Sequence, residues 1–374
     1  MKNTLGLIAT LPKSGTWYSH IFFWCYDQLI RNQAAYLKGE FHPDLIGILK
    51  NRQIQSVSTH PETLGIEQLF ICHVICPGFY EIKDEKFADW NLLRFPLPYN
   101  GGEGYIRGFN QWENLNPKTN PQAKIVYLCR NPLDHFVSYF HNAMTSVEIN
   151  HRNKTLADGT IVPLTSVQDF VFNFGALSGF IKHYYSFKQM QNQCPEQVKI
   201  ISYERLTQIP DLVFGEILAF MGTPVDTEIK QRLFKDALAL CSKESLMKIE
   251  ASLNRSLVGN QLSSNKHIRD GKVGKWKDYF NDEEILKIEA AFNLFDISLK
   301  DFQLTSTEMS VLPDIDDTKQ KYVFQVEFFK QVAHLYNLEL QHEIIELKQE
   351  LNEMLDSNSW RFTAPLRAMR KLTK

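Results

Sequence analysis

No apolar run in this sequence approaches the ~18 residues that a membrane-spanning helix requires. Met1–Leu11, a short apolar run leading straight into a loop, has neither the length nor the cleavage signal of a secretory leader. A cytoplasmic location is therefore expected. Cysteine is sparse. The six, Cys25, Cys72, Cys76, Cys129, Cys194 and Cys241, sit mostly inside apolar runs, and no pair of C-x-x-C elements occurs. Neither a disulfide framework nor a zinc site is indicated, and a reducing compartment fits. Cys72 and Cys76 lie around His73, but no second Cys/His pair completes a ligand set, so no metal is expected. An excess of one charge sign is also missing. The 41 Lys and Arg are matched by 43 Asp and Glu, a formal net charge of −2. That argues against whole-surface attraction to nucleic acid, while leaving basic residues free to cluster in a pocket. Finally, the loop G-x-x-x-x-G-K-[ST] of nucleoside triphosphate-binding enzymes is absent.

What is present is an ordinary globular composition, 44% hydrophobic and 22% charged over 374 residues, enough for a substantial core. Leu5 to Leu11 reads as a short buried strand, followed by a loop containing Gly15 and a largely apolar helix from Ser19 to Ile30. Lys124 to Cys129 is a second buried strand, running through Arg130–Pro132 into a helix from Leu133 to Ala143. Val198 to Ser202 is a third, followed by Tyr203-Glu204-Arg205 and a helix around Leu212 to Phe220. Repeated strand–loop–helix units imply an α/β fold, a parallel β-sheet flanked by helices on both faces.

Residues 1–304 are read as one domain, 305–320 as a linker, and 321–374 as a C-terminal helix and basic tail. Two polar, irregular stretches, 94–121 and 146–164, are either lids and acceptor-binding elements or tolerated surface insertions. Gln331 to Asp356 lacks Pro and Gly and carries Leu340, Ile344, Leu347, Leu351 and Leu355 at steps of three and four. That stripe suits packing onto the main domain or pairing in a homodimer. From Arg361 the chain holds five Lys or Arg and no acid, a pattern for either a disordered tail or contact with an anionic membrane or a partner.

Chemistry concentrates in three segments. Pro12-Lys13-Ser14-Gly15-Thr16-Trp17 joins the first strand to the first helix, where unpaired N–H groups and the positive helix end attract phosphate. Gly15 permits close approach, Lys13 adds a point charge, and Ser14 and Thr16 add hydroxyl donors. In Lys124–Tyr139 an Arg ends a strand and a Ser lies eight residues on: Arg130 and Ser138, a guanidinium fork and a hydroxyl suited to phosphate oxygens. The third segment is Arg269-Asp270-Gly271-Lys272-Val273-Gly274-Lys275-Trp276-Lys277.

Together these resemble the family of sulfotransferases dependent on 3′-phosphoadenosine 5′-phosphosulfate (PAPS), over roughly residues 5–280. The first segment is similar to the family's 5′-phosphosulfate loop, the second to its 3′-phosphate segment, and the third to its closing loop R-K-G-x-x-G-D-W-K. Asp270 and Lys275 depart from that last pattern, so the cation normally beside Arg269 falls to Lys272 or is missing. The family shows Thr-Thr-Trp after the glycine. Counting from Gly15, Tyr18 takes the adenine-stacking place and Trp17 turns into packing. Tyr203-Glu204 resembles the family's Tyr-Glu-Asp, which puts Tyr203 on the adenine.

The resemblance implies PAPS as co-substrate, 3′-phosphoadenosine 5′-phosphate (PAP) as product, and in-line sulfuryl transfer to a hydroxyl or amine. Lys13 would stabilise the transferring group. Two histidines fit the general base. His73 sits in Leu69–Cys76, an apolar strand leading to Pro77, and His60 keeps a Thr-His pairing but follows a weaker strand; some family members use a carboxylate instead. The C-terminal tail is similar to those of some bacterial enzymes of surface-polysaccharide assembly, which points to a carbohydrate or glycolipid acceptor. A catalytically impaired nucleotide-binding scaffold and a P-loop kinase are the competing readings. The kinase predicts a full triphosphate loop and a magnesium-binding acid, neither of which is evident.

Overall fold

The computed structural model describes residues 4–50, 66–73, 116–145, 153–155, 161–253, 274–302, 318–334, 348 and 353. Its centre is a four-stranded sheet in the order β2-β1-β3-β6, built from β1 (Thr4–Thr10), β2 (Ile66–His73), β3 (Ala123–Cys129) and β6 (Val198–Ser202). Every pairing in it is parallel. The two inner strands are buried on both faces, with Leu7–Thr10 and Ile125–Leu128 all at 1% exposure or less. Uninterrupted apolar runs, rather than alternation, are what a doubly covered parallel strand requires.

Alternation instead sorts the side chains into two cores. Leu7, Ala9, Ile125, Tyr127 and Cys129 face one side, with α4 (Pro132–Met144), α5 (Val167–Phe172), α6 (Ala176–Gln193) and α11 (Asp282–Asn293). Ile8, Val126, Leu128 and Ile201 face the other, with α1 (Thr16–Arg31), α8 (Pro210–Phe220), α9 (Glu228–Leu240) and α10 (Lys243–Leu253). Phe22 of α1 stacks on Phe214 of α8 with ring centroids 3.8 Å apart, and both are fully buried. Burying each such ring contributes about 2–3 kcal/mol.

Local sequence sets the helix starts. Asn131 caps α4, its side chain accepting from Leu133 N–H at 3.0 Å, with Pro132 in the first helical position where its missing donor costs nothing. Asn281 and Glu284 form a reciprocal capping box on α11. The first helix begins at Thr16, three residues before the expected Ser19, because left-handed Gly15 serves as its N-cap.

Two short helices, α2 (Gln33–Leu37) and α3 (Leu45–Lys50), follow α1. Within 146–164, β4 (Asn153–Thr155) and β5 (Ile161–Pro163) pair antiparallel, although three-residue strands are too short to leave a periodic signal. After β6 comes α7 (Tyr203–Gln208), and two 3₁₀ turns, Lys275–Asp278 and Leu299–Phe302, flank α11. Residues 318–334 form a further helix, α12, which begins within the stretch read as linker. Its Phe324, Phe328 and Val332, at steps of four, are buried, and Lys321 Nζ donates to Asn293 Oδ1 of α11 at 3.2 Å.

Candidate active site

Parallel register brings the chemically loaded segments to one edge of the sheet. Thr10 lies opposite His73 on one side and Leu128 on the other, while Cys129 lies opposite Ser202. The residues that follow, Pro12–Thr16, Arg130–Pro132 and Tyr203, therefore leave from neighbouring carboxyl ends. From β1 the chain turns into α1 on one face, and from β3 into α4 on the other. Helices diverging from adjacent strands open a crevice there, the place where open α/β sheets bind ligands.

The turn between β1 and α1 is shaped by backbone. Lys13 has φ 70° and Gly15 φ 98°, both in the left-handed region. Such residues turn successive N–H groups to one side and form an anion-binding concavity. For Lys13 this conformation costs ~1–2 kcal/mol, held in place because its carbonyl accepts from Arg130 Nη1 at 3.2 Å. Gly15 offers no side chain to bond the first-turn N–H groups of α1, which leaves the helix end suited to an anion. Thr16, expected as a ligand donor, shares a 2.6 Å hydrogen bond with Thr10, tying strand to helix.

Arg130 is 8% exposed, with its Cζ 4.9 Å from the centroid of the Tyr203 ring. Its Nε has no hydrogen-bond partner among the described residues, and neither has the fully buried Ser14 hydroxyl. An unsatisfied buried donor costs about 1–3 kcal/mol. Phosphate or sulfate oxygens are the acceptors such donors fit, so the residues present suit the nucleotide that the motifs imply. Ser138, partly buried, lies on α4 two turns beyond Arg130.

The aromatic flank is close by. Tyr203 packs against Gly15: a Cβ added there would meet its Cδ2 at 3.0 Å. Burial raises the Tyr203 phenol, while Arg130 beside it opposes the shift. Tyr18 sets its ring edge-on to Phe214 at 5.3 Å and its hydroxyl against Cys241. Burial pushes its phenol up, with Tyr203 near enough to add to the effect. Trp17 lies against the α1-side core, 6.2 Å from the His20 ring.

Two acids escaped the sequence reading. Glu204, 1% exposed, accepts the Asn131 N–H at 2.8 Å. Burial raises its carboxyl, while that hydrogen bond and Arg130 lower it. Asp134, 2% exposed, accepts from Gly274 N–H at 2.7 Å and Trp276 N–H at 3.3 Å. Both stand inside the quoted segments, but their partners are far away in sequence and no local signal marks them.

His73 ends β2 at this same edge, and its side chain lies outside the described residues. So do His60, Arg269, Asp270, Gly271 and Lys272. Among the described residues no group of three or more His, Cys, Asp or Glu is placed to hold a metal ion. No helix among them is long and apolar enough to cross a membrane.

Comparison with known proteins follows the same lines. A family model described as a sulfotransferase domain matches residues 5–305. Cytosolic sulfotransferase 14 of Arabidopsis thaliana is 30% identical over 178 residues, 46% of this chain and 48% of that protein. Flavonol 3-sulfotransferase of Flaveria bidentis is 26% identical over 171 residues, 45% of this chain and 53% of that protein. The chain thus spans about half the length of the curated relatives it matches. Among solved structures, retinol dehydratase in complex with androsterone and inactive cofactor PAP overlaps 81% of this chain and 82% of its own, at 17% identity and TM-score 0.43. A mouse sulfotransferase complexed with PAP gives 81% and 89%, at 17% identity and TM-score 0.39.

Proposed function

The chain belongs to the sulfotransferase domain family, and from that premise we propose that it transfers a sulfuryl group from PAPS to a hydroxyl or amine of an acceptor. The observation that carries the reading is the pair of buried donors, Ser14 Oγ and Arg130 Nε, without acceptors among the described residues at adjoining strand ends. PAPS, when bound, supplies a sulfur already activated by its phosphate leaving group. The chain must then bind, neutralise and accept a proton.

Lys13, Ser14 and Gly15, with Thr16 and Trp17 opening α1 behind them, hold the 5′-phosphosulfate. Arg130 and Ser138, with Arg269, Asp270 and Gly271, hold the 3′-phosphate, and Tyr18 and Tyr203 flank the adenine. Lys13 and the α1 end place positive charge where in-line transfer leaves negative charge, the need common to sulfuryl and phosphoryl transfer. His73 accepts the acceptor's proton, its position supported by the register with Thr10. PAP is the product, and no metal takes part.

The acceptor carries a hydroxyl or an amine. The basic tail favours a carbohydrate or glycolipid; relatives named for flavonol favour a hydroxylated aromatic. We place the enzyme in the cytoplasm, with the residues from Arg361 suited to an anionic membrane or a partner and the leucine stripe suited to a second copy. The Asp270 and Lys275 departures favour a scaffold as second reading, which PAP binding without turnover would support.

Titration calorimetry with PAP tests the donor site. The native chain should bind at micromolar concentrations, and Lys13→Ala and Arg130→Ala should each lose about 1.5–3 kcal/mol as charged hydrogen bonds disappear. No native binding, or binding indifferent to both substitutions, would sink the reading.

A further inference from the structure

Asp134 stands where a carboxylate should be unwelcome. It lies on α4 four residues before Ser138, on the same side of that helix, while Arg130 stands just ahead of the helix start. A buried carboxylate beside an anion site is tolerated only when other donors satisfy its oxygens. Both are satisfied. Gly274 N–H donates to Oδ2 at 2.7 Å and Trp276 N–H to Oδ1 at 3.3 Å, from 140 and 142 residues downstream.

The turn that provides these donors is pinned from its other side as well. Gly274 adopts φ 83°, a left-handed conformation that favours glycine. Trp276 is 2% exposed within the α4-side core, together with Phe280. The chain therefore reaches α4 at Asp134, between Arg130 and Ser138, held there through the Gly274 and Trp276 backbone groups.

We propose that Asp134 is a positioning residue. It fixes the Gly274–Asp278 turn against α4 and so sets where the late part of the chain meets the 3′-phosphate end of the nucleotide site. This rests on the PAPS reading above. Asn in its place would exchange one acceptor oxygen for an N–H facing another N–H, releasing the turn while keeping the side chain's size.

The test is calorimetric titration of the full chain and of Asp134→Asn with PAP and with adenosine 5′-monophosphate, which lacks the 3′-phosphate. The variant should bind PAP on the order of 10–100-fold more weakly, the loss of one hydrogen bond to a charged group. Its affinity for the monophosphate should stay within about twofold. Equal weakening toward both ligands, or toward neither, overturns the proposal. Failure of the native chain to bind PAP overturns the PAPS reading itself, and it appears in a different arm. Should the variant not fold, amide exchange in the native chain decides. PAP should slow exchange across 274–280 and the monophosphate should not; equal slowing, or none, overturns the proposal.

Discussion

At Gly15 two constraints coincide: a backbone at φ 98° and the Tyr203 ring at 3.0 Å from any added Cβ. Either alone penalises a side chain, and together they add: the backbone is strained and the Tyr203 ring must give way. Gly15→Ala should therefore cost about 1–3 kcal/mol of stability by denaturant titration and abolish measurable PAP binding. A variant as stable as the native chain would show that the turn is less constrained than its geometry implies. The neighbouring Lys13 accepts the same left-handed conformation despite its side chain. Strain held in a turn that also receives Arg130 fits a preorganised anion site.

At the scale of elements, α1 is the helix that ties the Lys13–Gly15 turn to the sheet. Its His20, hydrogen-bonded to the Ile71 backbone of β2, is lowered to about 4 by burial, that hydrogen bond opposing the shift. The unfolded chain thus binds a proton between pH 6.5 and about 4 that the native chain refuses. Stability contributed by neutral His20 is full above pH 6.5 and lost as pH falls through that window, a loss of up to about 3 kcal/mol. His20→Gln should flatten the acid limb of the stability–pH curve there. An unchanged limb would place the acid sensitivity in other groups.

For the whole molecule, the question is whether the C-terminal helix is an appendage or part of the fold. In α12, Phe324, Phe328 and Val332 are buried on one side, while Gln325 Nε2 donates to Ala290 O at 3.2 Å and Lys287 pairs with Glu327 at 3.8 Å. Phe328 at 3% exposure belongs to the same core as β1 and β3. Phe328→Ala should thus lower the stability of one cooperative transition by about 3 kcal/mol. A separate, earlier transition with the main one unmoved would make α12 an independent unit.

The sequence by itself determined the strands, the Gly-containing turn after the first of them and the place of Arg130 at a strand end, because these are written locally. Apolar runs mark buried strands, Asn131-Pro132 marks a helix start, and a short Gly-containing turn marks an anion-binding helix end. The α/β class and the four sheet strands followed from that, the one carrying His73 among them. Only tertiary structure decided what surrounds the site. Arg130 reaches the Lys13 carbonyl across 117 residues, and Asp134 reaches Gly274 across 140. Such contacts depend on strand order and register: β1 lies between β2 and β3 although β2 follows it in the chain. Short-range periodicity carries no record of which distant segment will be the neighbour. The buried acids Asp134 and Glu204 were therefore visible as letters, and their roles became legible only once the sheet had brought their partners to them.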